Sequence, residues 1–186
     1  IPIADRQVQA LREESKALRS KLTELVQFGE ENDAITSKLH RLTLGLLPAA
    51  TMTELLVSLH FGLREGMAVP HTALRIWGGR PYQGEGAERE EFAAVSEEIK
   101  QYAAGLARPF CGPSGHAGGA EAAAWFGEGA SHVRSVAHIA LRDAGEACIG
   151  VLALGSEDVL RFYPDMGVVY LQRLGELAGA ALRRFV

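Results

Sequence analysis

Leucine recurs every seven residues through the first quarter of the chain, and no other feature limits the fold so strongly. Between about Asp5 and Leu47 there is no proline, and the only glycines are Gly29 and Gly45. Leu11, Leu18, Leu25, Asn32, Leu39 and Leu46 share one heptad position, while Val8, Ser15, Leu22 and Gly29 share the other core position. Apolar residues at this period form a stripe along one face of a helix. A helix of about 40 residues is about 60 Å long, more than one small domain can cover. The stripe therefore predicts a parallel coiled-coil homodimer over residues 1–47, with Leu11, Leu18, Leu22, Leu25, Asn32, Leu39 and Leu46 at the interface. The leucines of the better position supply roughly 15–30 kcal/mol to a pair as an upper bound, against an association cost of about 4–15 kcal/mol. Asn32 places an amide in the seam, which fixes register at the expense of stability. The competing reading is an amphipathic helix packed against its own domain.

Pro48 ends this helix, and residues 48–186 read as a second, compact domain. Thr51-Met52-Thr53-Glu54 is a capping box opening a helix whose apolar face is Leu55, Leu56, Leu59 and Leu63. His71 to Trp77 reads as a strand, broken by Gly78-Gly79-Arg80-Pro81. Gln83 to Glu91, rich in glycine and glutamate, reads as a mobile loop. A helix follows over Ser96 to Ala107, then a short extended piece to Pro113, a glycine-rich loop to Gly119 and a short helix from Glu121 to Phe126. Val133–Leu141 and Cys148–Leu154 pair across a turn at Asp143-Ala144-Gly145-Glu146. That pairing puts Ala137, Ile139, Leu141, Cys148, Gly150 and Leu152 on one face and Val136, His138, Ala140, Ile149, Val151 and Ala153 on the other. Both faces are apolar and both need cover. A last amphipathic helix is expected from Pro164 to Phe185.

Composition removes several function classes. The net charge is −4 over 186 residues, and the basic residues of the first helix alternate with Glu13, Glu14 and Glu24. No nucleic-acid partner is expected from such a surface. No run of about 18 apolar residues is present, so no membrane span is expected. Two isolated cysteines, Cys111 and Cys148, make neither a disulfide framework nor a zinc site and fit a reducing, cytoplasmic setting. The chain opens Ile1-Pro2-Ile3, without an initiator methionine or a signal peptide, which reads as the start of a fragment with residues missing upstream.

The order of elements, with Gly150-Val151-Leu152-Ala153-Leu154-Gly155-Ser156 followed by Arg161-Phe162-Tyr163-Pro164-Asp165-Met166 and an apolar helix, resembles a GAF domain with its signalling helices. Asp5-Arg6-Gln7-Val8-Gln9-Ala10-Leu11-Arg12, Glu31-Asn32-Asp33, Leu39-His40-Arg41-Leu42-Thr43-Leu44 and Phe110-Cys111-Gly112 are similar to motifs of a bacterial group, the domain-of-unknown-function family 484. The resemblance covers nearly the whole chain. It implies an α+β fold: a GAF-like antiparallel sheet flanked by helices, preceded by a long coiled-coil helix, with a ligand cavity on one side. It implies no catalytic activity.

Candidate ligand contacts are Trp77, Phe110, Cys111, Trp125 and His138, a set of aromatic and polar side chains placed to line a pocket for a flat molecule. For each the plain alternative is a core role: a hydrogen-bonded histidine, a buried thiol, packed aromatics. The histidines show no metal-ligand spacing, Gly112–Gly119 lacks the Gly-Lys-Ser/Thr ending of a phosphate loop, and the string that marks many cyclic-nucleotide-binding GAF domains is absent. No metal or cofactor and no catalytic residue is expected. The leading expectation is a sensory, regulatory or scaffolding module that binds a small molecule or a partner protein. The alternative is a cysteine-dependent reductase of the free methionine sulfoxide type using Cys111 and Cys148.

Overall fold

The computed structural model describes residues 3–78 and 82–186; the expected break at Gly79-Arg80-Pro81 lies outside them. Helix α1 runs Ile3–Leu46, α2 Met52–Phe61, α3 Glu97–Gly105, α4 Ala120–Ala124 and α5 Val169–Leu182. The strands are β1 His71–Ile76, β2 Phe110–Pro113, β3 Ser135–Arg142 and β4 Cys148–Ser156. They form one antiparallel sheet in the order β1-β4-β3-β2. The chain divides into two compact units, the first ending at Ser37 and the second running Lys38–Val186.

The first unit is one helix whose apolar stripe is bare. Leu11, Leu18, Leu22 and Leu25 are each at least 60% exposed, and Asn32 lies exposed further along. The stripe changes use in the second unit. Leu42 and Leu46 are buried in the core and Leu39 packs against it. Leu46, expected at the interface, is therefore a core residue of its own chain, and Leu39 is partly buried against that core. This places the unit boundary ten residues before the proline that suggested it.

In the second unit, α2 is capped as expected, with a shift of one residue. The Thr51 hydroxyl accepts the Glu54 N–H at 3.2 Å, but the Glu54 carboxylate accepts from Ala50 N–H at 2.8 Å and not from Thr51. Leu55, Leu56, Leu59 and Leu63 are buried, the last in a π turn at Gly62–Gly66. They pack with Leu174, Ala178 and Leu182 of α5 on the sheet face made by Leu74, Ala137, Ile139, Leu152 and Leu154. Ser96 caps α3 by accepting the Ile99 N–H. The hairpin turn is held by Asp143, whose Oδ1 accepts from Gly145 and Ala147.

Three expectations change. Helix α5 starts at Val169, not Pro164: Met166 N–H closes a turn on Tyr163 O, and Gly167 disfavours a helical start by about 1 kcal/mol. The segment Gln83 to Glu91, between β1 and α3, is not simply a loop, because Glu90–Phe92 is a 3-10 turn and Glu91 is 6% exposed. Finally, β3 and β4 pair Leu141 with Gly150 and Arg142 with Cys148, skipping Ile149. This bulge inverts the start of β4. Ile149 joins the leucine core, and Cys148 sits across from Arg142 on the opposite face.

Candidate ligand-binding site

The second sheet face is built differently from the first. Strand alternation sends His71, Ala73 and Arg75 of β1, Val151 and Ala153 of β4, Val136, His138 and Ala140 of β3 and Phe110 of β2 to this side. Here leucine gives way to small residues and to ring and cationic groups. Helix α3 lies against β3 and β4, and Gly119, Trp125, Phe126 and Gly129 of the following segment lie against His138, Arg75, Gly155 and His71.

At the β2–β3 end three polar rings meet. Tyr102 of α3 has its hydroxyl 2.9 Å from His116 Nε2 and 3.1 Å from His138 Nδ1. Phe110 stacks on His116 with centroids 3.9 Å apart. His138 is 1% exposed. Burial, reinforced by the neighbouring His116, pushes its pKa down to about 3, and burial lowers His116 as well. Both imidazoles are therefore neutral near pH 7. A tyrosine hydroxyl has one proton to give. It donates to one imidazole and accepts an N–H from the other, so both rings carry their proton on the same-named nitrogen, either both Nε2 or both Nδ1. In either arrangement His138 Nε2 and His116 Nδ1 are buried without a hydrogen-bond partner, one as a donor and the other as a bare lone pair. Burial raises the Tyr102 hydroxyl to about 12, which keeps that proton in place.

The lid over these rings is glycine. A methyl group at Gly119 would collide with the Cε1 atoms of both His116 and His138, and one at Gly118 would come within 2.6 Å of the Tyr102 ring. Gly115 adopts φ +80° in the same loop, a conformation open to glycine at no steric cost.

At the β1 edge a cavity of about 280 Å³ opens beside Arg75 and Trp125. The Arg75 guanidinium lies 5.2 Å from the Trp125 ring centroid. Below it runs a chain of hydrogen bonds: Thr72 Oγ1 to His60 Nδ1 at 2.8 Å, and His60 Nε2 to Glu91 Oε1 at 3.2 Å. Arg89 clamps the same carboxylate through Nε at 3.2 Å and Nη2 at 2.9 Å. Burial raises the Glu91 pKa, but the hydrogen bonds from His60 and Arg89 outweigh it and hold the carboxyl at about 2. The sign follows from linkage: a folded value below the ordinary 4.5 stabilises above that value, and the stabilisation is lost as pH falls towards 2. Its size is roughly 3 kcal/mol. Urea unfolding between pH 7 and pH 3 is expected to show this loss in the native protein and a shallower one in Glu91→Gln.

The structure thus brings together two of the five expected contacts, Phe110 and His138, whose rings are 5.9 Å apart. Trp125 lines the separate cavity at the β1 edge. Trp77 lies past the end of β1, its N–H bonded to Ile149 O. Cys111 pairs with Ala137 and is buried in the leucine core on the other face, where burial pushes its thiol up to about 11. Cys148 is opposite Arg142, about 16 Å along β3 from Ala137, and on the second face. A disulfide spans Cα atoms at most about 7 Å apart, so no direct bridge joins the two thiols. Tyr102, His116, Arg75, Glu91 and His60 escaped the sequence reading. Arg75 was the one with a signal, a lone charge inside an apolar strand.

Among the described residues no group of three or more His, Cys, Asp or Glu is arranged to hold a metal ion, and no helix is long and apolar enough to cross a membrane. No curated protein matches the chain. Among solved structures it is similar to the A. aeolicus nlh2 GAF domain, crystallised in an inactive state, with a TM-score of 0.58, 16% identity, and coverage of 82% of this chain and 98% of that one. At that identity the likeness establishes the GAF fold. The sequence profile described as "Protein of unknown function, DUF484" matches residues 1–186, and the chain belongs to that family.

Proposed function

We propose that this chain is a non-enzymatic GAF-like sensory, regulatory or scaffolding module of the cytoplasm, held as a homodimer by the exposed stripe of α1 and taking a small molecule or partner protein on the second face of its sheet. The observation that carries the reading is the His138–Tyr102–His116 network. A purely structural face would bury apolar side chains there, because an unpartnered buried polar atom costs about 1–3 kcal/mol. This face instead keeps two unpartnered nitrogens beneath a glycine loop. The reductase alternative is disfavoured by thiols on opposite sheet faces and by a Cys111 thiol held far from its reactive, ionised form.

Thermal-shift and calorimetric screens of the full chain against nucleotides, amino acids and organic acids test the reading. A ligand at a hundred times its dissociation constant is expected to stabilise the fold by about 2.7 kcal/mol. Dimeric protein that ignores the whole panel would overturn small-molecule sensing in favour of scaffolding.

A further inference from the structure

We propose that the cavity at the β1 edge is a carboxylate-binding site, in which Arg75 receives the carboxylate of a small organic acid and Trp125 forms the wall. The inference rests on the reading that this module binds a small molecule, and it assigns a chemical class to the ligand of this separate edge cavity.

Charge compensation leads there. Arg75 is 9% exposed. A guanidinium has five N–H donors, and its one hydrogen bond among the described contacts runs from Nη1 to Leu74 O at 3.0 Å. Its counter-charge is Glu90, 3.7 Å away and 85% exposed. That distance is well beyond the 2.7–2.9 Å of a charge-assisted hydrogen bond, and a carboxylate so solvated compensates a buried cation weakly. The other carboxylate in the cavity is fully engaged, because Glu91 accepts from Arg89 on both oxygens and faces His60 as well. Arg75 is thus a buried fork with free donors facing a hollow of about 280 Å³, and such a fork matches a planar carboxylate two bonds at a time.

Two further facts select the ligand. With Glu90 already in solvent, the remaining charges of the cavity are Arg75 and Arg89 against Glu91, a surplus of one positive charge. One carboxylate balances that, whereas a phosphate dianion overshoots beside Glu91. The volume is just below that of drug-sized pockets, so the acid is small.

The protein contains two tryptophans, so Trp77→Phe leaves Trp125, against the Arg75 guanidinium, as the only indole reporter. Full-length Trp77→Phe protein is titrated at constant ionic strength with sodium acetate, succinate and benzoate, and with chloride and phosphate. A saturable change in Trp125 emission is expected with at least one carboxylate, at concentrations where chloride and phosphate give none. Arg75→Lys, which keeps the charge and loses the fork, is expected to weaken that binding at least tenfold. Glu90→Gln, which removes the competing carboxylate, is expected to tighten it several-fold. Equal responses to phosphate and carboxylate, or a Glu90→Gln variant that binds no more tightly, would overturn the assignment. So would carboxylates that leave Trp125 unchanged while other compounds of the wider screen still stabilise the fold; in that case the sensory reading survives and this inference alone falls.

Discussion

If the proposed dimer is held by the α1 stripe, replacing Leu18 and Leu25 together by glutamate is expected to leave a species of 20.0 kDa in light scattering, with the second unit still folded. Both leucines are at least 60% exposed on α1. Each contributes roughly 1.5–3 kcal/mol when covered, so the four lost from a pair remove roughly 6–12 kcal/mol before any cost of burying carboxylates. That is enough to raise the dissociation constant by a factor of at least ~10³. The matched variant is Leu46→Ala. Leu46 is 2% exposed in the core of its own chain, so its truncation leaves a cavity and lowers unfolding free energy by about 2–5 kcal/mol while the dimer mass persists. A dimer that survives the double glutamate change would remove the stripe from the interface.

That pair of variants also marks how far the heptad pattern could be read. Periodicity located the helix within two residues, because it depends only on spacing along one element. It did not show where the stripe stops being exposed and starts packing on the domain, because Leu39 and Leu46 repeat the spacing of Leu18 and Leu25 and differ only in what the fold brings beside them. The sheet was legible for the same local reasons: alternation, a hairpin turn, glycine and proline breaks. The candidate site was legible only where a residue sat on a readable strand. His138 was found because strand alternation assigns it a face, and Phe110 because it begins an extended piece. His116 lies in a glycine loop, and Glu91 among other glutamates. Nothing in the linear sequence separates Glu91 from Glu88 or Glu90, since its burial follows from Arg89 and from His60 thirty-one residues earlier. The facing of Cys148 failed for a different reason. A single extra residue, Ile149, reverses the parity of a strand, and a bulge in a run of apolar residues changes no hydrophobic pattern.

Just beyond that bulge, Gly150→Ala is expected to lower the unfolding free energy by about 3 kcal/mol or more, read as a drop in urea midpoint at unchanged slope. Gly150 pairs with Ile76 of β1 and with Leu141 of β3, and a methyl group there would lie 2.5 Å from the Arg75 carbonyl oxygen and 3.3 Å from Ile76 Cα. Overpacking a core typically costs 1–3 kcal/mol when side chains can move aside; here the obstacle is backbone inside a sheet, so the strands themselves must separate. Gly45→Ala provides the opposite sign. Gly45 is helical and a methyl group there would meet nothing within 4 Å, so the change is expected to raise stability by about 1 kcal/mol through helix propensity. Glycine at 150 is therefore a condition for β1 to lie against β4. The same displacement would carry Arg75 away from Trp125, so Gly150→Ala in the Trp77→Phe background is expected to alter Trp125 emission at urea concentrations below the unfolding transition. An unchanged spectrum there, with stability intact, would mean that β1 does not pack on β4 in this register and that the cavity beside Arg75 is not built as described.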